Sequence, residues 1–185
     1  VLDTTSLDLN VSREMVQNSP VVKKISKYLT KRVLSELKKK QKKDADGYDT
    51  FWYQFGKVLK EGLYEDLVNR EKIAEVIRVY SFKRDKLISL QDYLDGFIDG
   101  QGCIYYLTAD TLKQATSSPH LEGFKAKGVD VLLMTDPIDA FWMTQMSSFK
   151  AKSFVSISRD KYDLSKLGDE EVKEEDDQPS NGVSL

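Results

Sequence analysis

This sequence predicts an α/β fold, a helical layer of about three helices followed by a small parallel-sheet α/β subdomain. Three observations lead there. Apolar residues recur at steps of three and four from Val22 to Leu37 and in two further segments before Ser81, as in helices with one buried stripe. Beyond them lie three short runs rich in β-branched and aromatic residues, CIYYLT, VDVLLMT and SFVSIS. Helical segments separate these runs, and the order strand, helices, strand, helix, strand implies parallel pairing.

Ser19-Pro20 opens the first helix, with serine as cap and proline at the position where its missing N–H costs nothing. Val22, Ile25, Leu29, Val33 and Leu37 form its stripe, and Lys23, Lys27, Lys31 and Lys38 lie away from it. The run KKKQKKDADG, from Lys38 to Gly47, is expected to end the helix in a charged loop. A second helix is expected from about Asp49 to Leu63, burying Phe51, Trp52, Phe55, Val58 and Leu59. A third runs from about Asn69 through Ile73, Val76 and Ile77 toward Tyr80, and SFKRDKL then reads as a loop. Ser89 precedes a short helix, LQDYLDGF, and Cys103–Thr108 is a buried strand bounded by Gly102 and Asp110. Two short helices follow, the second opened by Ser118-Pro119 and closed by Gly128. Val129–Thr135 is the continuous apolar run of a strand covered on both faces. Pro137 starts a helix through Met146, and Ser153–Ser158 is the third strand. Past Asp160 the chain turns acidic and loses periodicity (GDEEVKEEDDQPSNG), which reads as a linker or disordered end. No internal repeat is apparent.

The 185 residues are 40% hydrophobic, enough to bury a core. A formal net charge of -2 gives no whole-chain attraction to nucleic acid or an anionic membrane surface. A single cysteine excludes an internal disulfide framework and, with a single histidine, argues against a Cys/His zinc site. That fits a reducing, cytoplasmic setting. No run approaches the length of a membrane span and no signal stretch opens the chain. Because it starts at Val1 and its first residues read as the middle of something, a piece of a longer parent is expected.

Several candidate chemistries fail on spacing. Gly100 and Gly102 in DGQGC lack the third glycine of a dinucleotide fingerprint and precede a strand instead of following one. Cys103 has no histidine near it in sequence and reads as a small core residue, while His120 reads as exposed or locally bonded. Asp92, Asp95 and Asp99 share helical spacing but read as a solvated face. The first-helix lysines lack an aromatic stacking platform or a reading motif, so an ordinary solvated face is the simpler account. The alternative function is a non-enzymatic basic helical scaffold that binds nucleic acid or an acidic protein, marked by steeply salt-dependent binding.

Two features stay open on residues alone. Phe141, Trp142 and Met143 are consecutive in a helix and cannot all face one core, so either the helix lies between layers or it exposes an apolar contact patch. In NVSREMVQ, Ser12 can cap a turn from which Arg13 and Gln17 project together. A guanidinium fork displayed in this way suits anionic phosphate oxygens, although a local surface salt bridge is the plainer account of the motif alone.

The segment LDLNVSREMVQNSPVVKKISK resembles the catalytic-loop region of the middle domain of the heat-shock protein 90 chaperones. The resemblance continues in order through FGKVLKEGLYED, NREKIAEVIR, GCIYYLTAD, SPHLEGFKAKGVDVLLMTDPID and SFVSISRDKYDL, with wording most similar to bacterial members. It implies a catalytic loop segment at 1–18, a helical subdomain at 19–82, a small α/β subdomain at 83–159 and an acidic linker or disordered end at 160–185. It also implies that Arg13 reaches the γ-phosphate of ATP, held with Mg2+ in the amino-terminal domain of the full-length parent, with Asn10 and Gln17 as accompanying amides. The fragment alone is then no enzyme and carries no cofactor or metal. Its implied partners are the amino-terminal ATPase domain and the carboxy-terminal dimerisation domain of a homodimeric parent, client proteins and co-chaperones, with no nucleic acid and no membrane. The family's client surface includes the helix after DPID, where an acidic residue often precedes tryptophan. Here Ala140 replaces that acid and Phe141-Trp142 follow, so Phe141 or Trp142, with Met143 or Met146 nearby, is expected to contact clients. Full burial of Trp142 would move that role to Phe141.

Overall fold

The structure is a computed structural model that describes residues 19–165 and 167. Helix α1 spans Pro20–Lys43, with proline at its first turn as expected. It does not stop at Lys38. Lysine and glutamine are good helix formers, and Lys40, Lys42 and Lys43 place positive charge where the helix dipole is negative. Asp44 ends α1 and also caps α2 (Ala45–Glu65), its side chain accepting from the Gly47 N–H at 2.9 Å. Helix α2 buries Tyr48, Trp52, Gly56, Lys60 and Leu63 as one stripe. Phe51 and Leu59 pack at its edge, whereas Phe55 and Val58, expected inside, are exposed.

Helix α3 is only Arg70–Ala74, and the expected continuation toward Tyr80 is replaced by strand β1, Val79–Ser81. Strand β2, Lys86–Ile88, pairs antiparallel with β1, so the SFKRDKL segment is a hairpin and not a plain loop. Helix α4 (Leu90–Leu94) opens with a capping box between Ser89 and Asp92. Strand β3 (Ile104–Thr108) leads through α5 (Leu112–Thr116), a 3₁₀ turn at Pro119–Leu121 and α6 (Glu122–Ala126) to β4 (Leu132–Met134). Helix α7 (Asp139–Gln145), β5 (Ser148–Phe149) and β6 (Lys152–Ser156) complete the described elements.

The sheet runs β2-β1-β4-β3-β6-β5. Its centre, β4-β3-β6, is parallel as expected. The margins are antiparallel, so the sheet is mixed and not purely parallel. Alternation along the central strands divides the interior in two. Ile104, Tyr106, Leu132 and Met134 face a first core with Leu34, Trp52, Ile73, Tyr93 and Trp142. Tyr105, Leu107 and Leu133 face a second with Ala115, Leu121, Phe124 and Leu167. The first core joins the helical layer directly to the sheet, and the division expected at residue 82 falls inside the β1–β2 hairpin. Most of the acidic end lies outside the described residues.

Candidate functional site

Strand β4 delivers the chain into Thr135-Asp136-Pro137 and then α7, whose packing decides which of four candidate side chains reaches solvent. Asp139, in the first turn, is fully buried and saturated with donors. Lys60 Nζ lies 2.9 and 3.0 Å from its two oxygens, Trp142 Nε1 donates to Oδ1 at 2.8 Å, and the Asp136 N–H donates to Oδ2 at 3.1 Å. Lys60 Nζ also donates to Asp136 Oδ2 at 2.6 Å. Burying an ammonium costs free energy unless it is paired, and here it faces two carboxylates. The other end of α7 is held by Arg70. Its guanidinium donates to Gln145 O at 2.8 Å and to Leu63 O and Tyr64 O at 2.6 and 3.3 Å, joining the carboxy-terminal ends of α2 and α7.

Trp142 is 0% exposed, edge-on to Phe154 with centroids 5.9 Å apart, and Met146 is 4% exposed. Neither presents a surface, which corrects the expectation that they face a partner. Their positions one turn apart, in line with Asp139, put them on the packed side of the helix. Phe141 is 56% exposed, and its ring neighbour is Tyr64 of α2, edge-on at 6.2 Å, while half-buried Met143 packs against the first core. Helix α7 is therefore packed on one face and exposes an aromatic on the other.

Beside α7 is a crevice of about 360 Å³ lined by Thr108, Ala109, Asp110, Met134, Asp136 and Ala140, among others. It sits beyond the carboxy-terminal ends of β3 and β4. The β3 connection runs to α5 over the second core and the β4 connection to α7 over the first. Open α/β sheets present ligand crevices where neighbouring connections diverge in this way.

Arg13, Asn10 and Gln17 lie outside the described residues. Cys103 is half-buried and free, and His120 is exposed on the 3₁₀ turn. Asp92 is not merely solvated. Burial raises its pKa, but hydrogen bonds from the Ser89 hydroxyl and N–H, with Arg78 nearby, hold it below the usual carboxylate range. Among the described residues, no group of acidic, histidine or cysteine side chains is placed to hold a metal ion. Sequence reasoning missed Lys60. Its signal was position, four residues after Gly56 and eight after Trp52 on the buried stripe of α2.

The family model described as Hsp90 protein matches residues 1–182. The chain belongs to the Hsp90 family. Among its Hsp90 relatives, the "Chaperone protein HtpG" of Roseobacter denitrificans is 45% identical over 185 residues, all of this chain and 30% of the relative. The protein of the same name from Paramagnetospirillum magneticum is 52% identical over 168 residues, 90% of this chain and 27% of the relative. The chain thus spans under a third of the length of the curated Hsp90 relatives it matches. Among solved structures, the middle domain of a Plasmodium falciparum heat shock protein superposes with a TM-score of 0.71 at 32% identity, over 78% of this chain and 61% of that one.

Proposed function

We propose that this chain is the later part of the middle domain of an ATP-dependent bacterial chaperone, contributing one surface to client binding and one arginine to ATP hydrolysis. The observation that carries the reading is Phe141, an aromatic side chain more than half exposed on a helix otherwise clamped to the body, in a chain of this family. Exposed aromatics and neighbouring methionine suit partly folded proteins, whose apolar segments vary in shape. Phe141 takes the contact role, and the crevice beside Ala140 extends the surface toward the sheet, while half-buried Met143 packs against the first core. The carboxylate that the family often has before the aromatic is replaced by Ala140, so contact here is chiefly apolar.

Arg13 reaches the γ-phosphate of ATP, bound with Mg2+ in the amino-terminal domain, and steadies the charge on the transferring group once the domains dock. Asn10 and Gln17 orient that loop. Activity belongs to the full-length cytoplasmic homodimer and not to this piece. Among the described residues no helix is long and apolar enough to cross a membrane.

The test is made in the full-length parent. Arg13→Ala is expected to collapse steady-state ATP turnover while nucleotide affinity barely moves, because the arginine acts in the hydrolysis-competent state. Unchanged turnover rejects its role. Phe141→Ser is expected to weaken binding of carboxymethylated lactalbumin, a permanently unfolded chain, by about tenfold, the loss of one interfacial anchor. Unchanged affinity rejects the client surface.

A further inference from the structure

The clamp beneath Phe141 is more elaborate than holding a seven-residue helix requires. Lys60 is buried in the carboxy-terminal third of α2, its side chain 5% exposed, and spans from the helical layer to both the β4–α7 loop and the first turn of α7. Its two partners differ: Asp139 is fully buried, whereas Asp136 is 29% exposed and lines the crevice beside α7. One turn further along α2, Tyr64 meets the Phe141 ring edge-on. Lys60 and Tyr64 are therefore an i, i+4 pair, one holding the inner face of α7 and the other supporting its exposed aromatic. Asp139 also accepts from the Trp142 indole, so the residue that follows Phe141 is tied to the carboxylate that Lys60 holds.

An apolar side chain could fill the same space without tying the two segments together, whereas one ammonium bonded to two carboxylates holds both at hydrogen-bond distance from a single point of α2. We propose that Lys60 is a positioning residue for the α7 surface: by holding Asp136 and Asp139 together it sets the orientation in which Phe141 and the adjoining crevice face a client segment. This rests on the client-binding reading above. Lys60 touches no client; it acts through α7.

The experiment is a double-mutant cycle in the full-length parent, with carboxymethylated lactalbumin as probe and hydrogen exchange of α7 as the second readout. Lys60→Met, close in volume, is expected to weaken binding about fivefold and to speed exchange across α7 while β3 stays protected. In a Phe141→Ser background its effect is expected to shrink, what remains being the share of the adjoining crevice, because the two changes act on the same contact. An undiminished effect in that background means that Lys60 serves general stability, and the proposal is overturned. Full affinity in Lys60→Met beside a loss in Phe141→Ser overturns it alone, leaving the client surface standing. No loss in Phe141→Ser removes the client reading and this proposal with it. Should Lys60→Met fail to fold by circular dichroism, Asp136→Asn at the exposed end of the clamp carries the same cycle with the same expectations.

Discussion

An α-helix turns by about 100° per residue, so neighbours such as Phe141 and Trp142 must diverge, and what decides between them is the partner each can find. Trp142 has an indole N–H that needs an acceptor when buried, and Asp139, three residues earlier on the same face, provides it at 2.8 Å. Phe141 has no polar group to satisfy and sits beside Tyr64 at the surface. A similar constraint governs Tyr48, fully buried in α2, whose hydroxyl donates to Val76 O at 2.5 Å. Tyr48→Phe leaves that carbonyl without its partner, and urea unfolding at neutral pH is expected to show a loss of about 1 kcal/mol. Burial pushes the Tyr48 hydroxyl from its ordinary value of 10.0 up to about 12, with Arg78 opposing. In this window the unfolded chain releases the proton and the folded chain keeps it, so the stabilisation is whole below about pH 10 and drains as pH rises toward 12. The phenylalanine variant lacks this loss. Unfolding curves at stepped alkaline pH should therefore show the gap between the two proteins closing; a constant gap would mean that Tyr48 ionises in the folded state as it does in the unfolded.

At the scale of elements, what could be read in advance follows length and turn chemistry. Strands β3 and β4 were legible because both of their faces are covered, which makes them nearly continuous apolar runs, whereas β6, buried only at Ser156, was legible from its aromatic and β-branched Phe154 and Val155. Strands β1, β2 and β5 are three, three and two residues long, too short for any periodicity to register. Val76 and Ile77 continue the helical spacing of α3, so the break before β1 is set by pairing with β2 and β4 and not by a local signal. The β5–β6 turn was hidden for another reason. Lys150 and Ala151 both have positive φ, 48° and 62°, the geometry of a tight hairpin that usually advertises itself as Asn-Gly. Of the candidate site, the aromatic run was legible and its partition was not, because that depends on Lys60 reaching across from α2. The strained turn yields a prediction. Ala151→Gly removes a left-handed penalty on a side chain and adds chain entropy to the unfolded state, for a net gain of about 0.5 kcal/mol in denaturant unfolding. A loss instead would mean that the Ala151 methyl packs favourably enough to outweigh its backbone strain.

Across the whole molecule, two cores share one sheet, and neighbouring residues of β4 belong to different ones. Leu132 faces the first core and Leu133 the second, 0% and 2% exposed. Trp52 and Trp142, the two tryptophans of the chain, both lie in the first core, so tryptophan emission reports on that side alone. If the sheet couples the layers, damage on either side must destabilise both, since neither core can persist once β3 and β4 lose their pairing. Leu132→Ala and Leu133→Ala should each cost about 2–5 kcal/mol and lower the urea midpoint seen by tryptophan emission, with far-ultraviolet circular dichroism following the same curve. The Leu133 variant is the decisive one, because its cavity opens on the face that the tryptophans do not see. An unchanged tryptophan midpoint with an early dichroism transition would separate α5 and α6 from the helical layer as an independent unit. Coincident transitions would make the helical layer, the sheet and the α7 surface one cooperative unfolding unit.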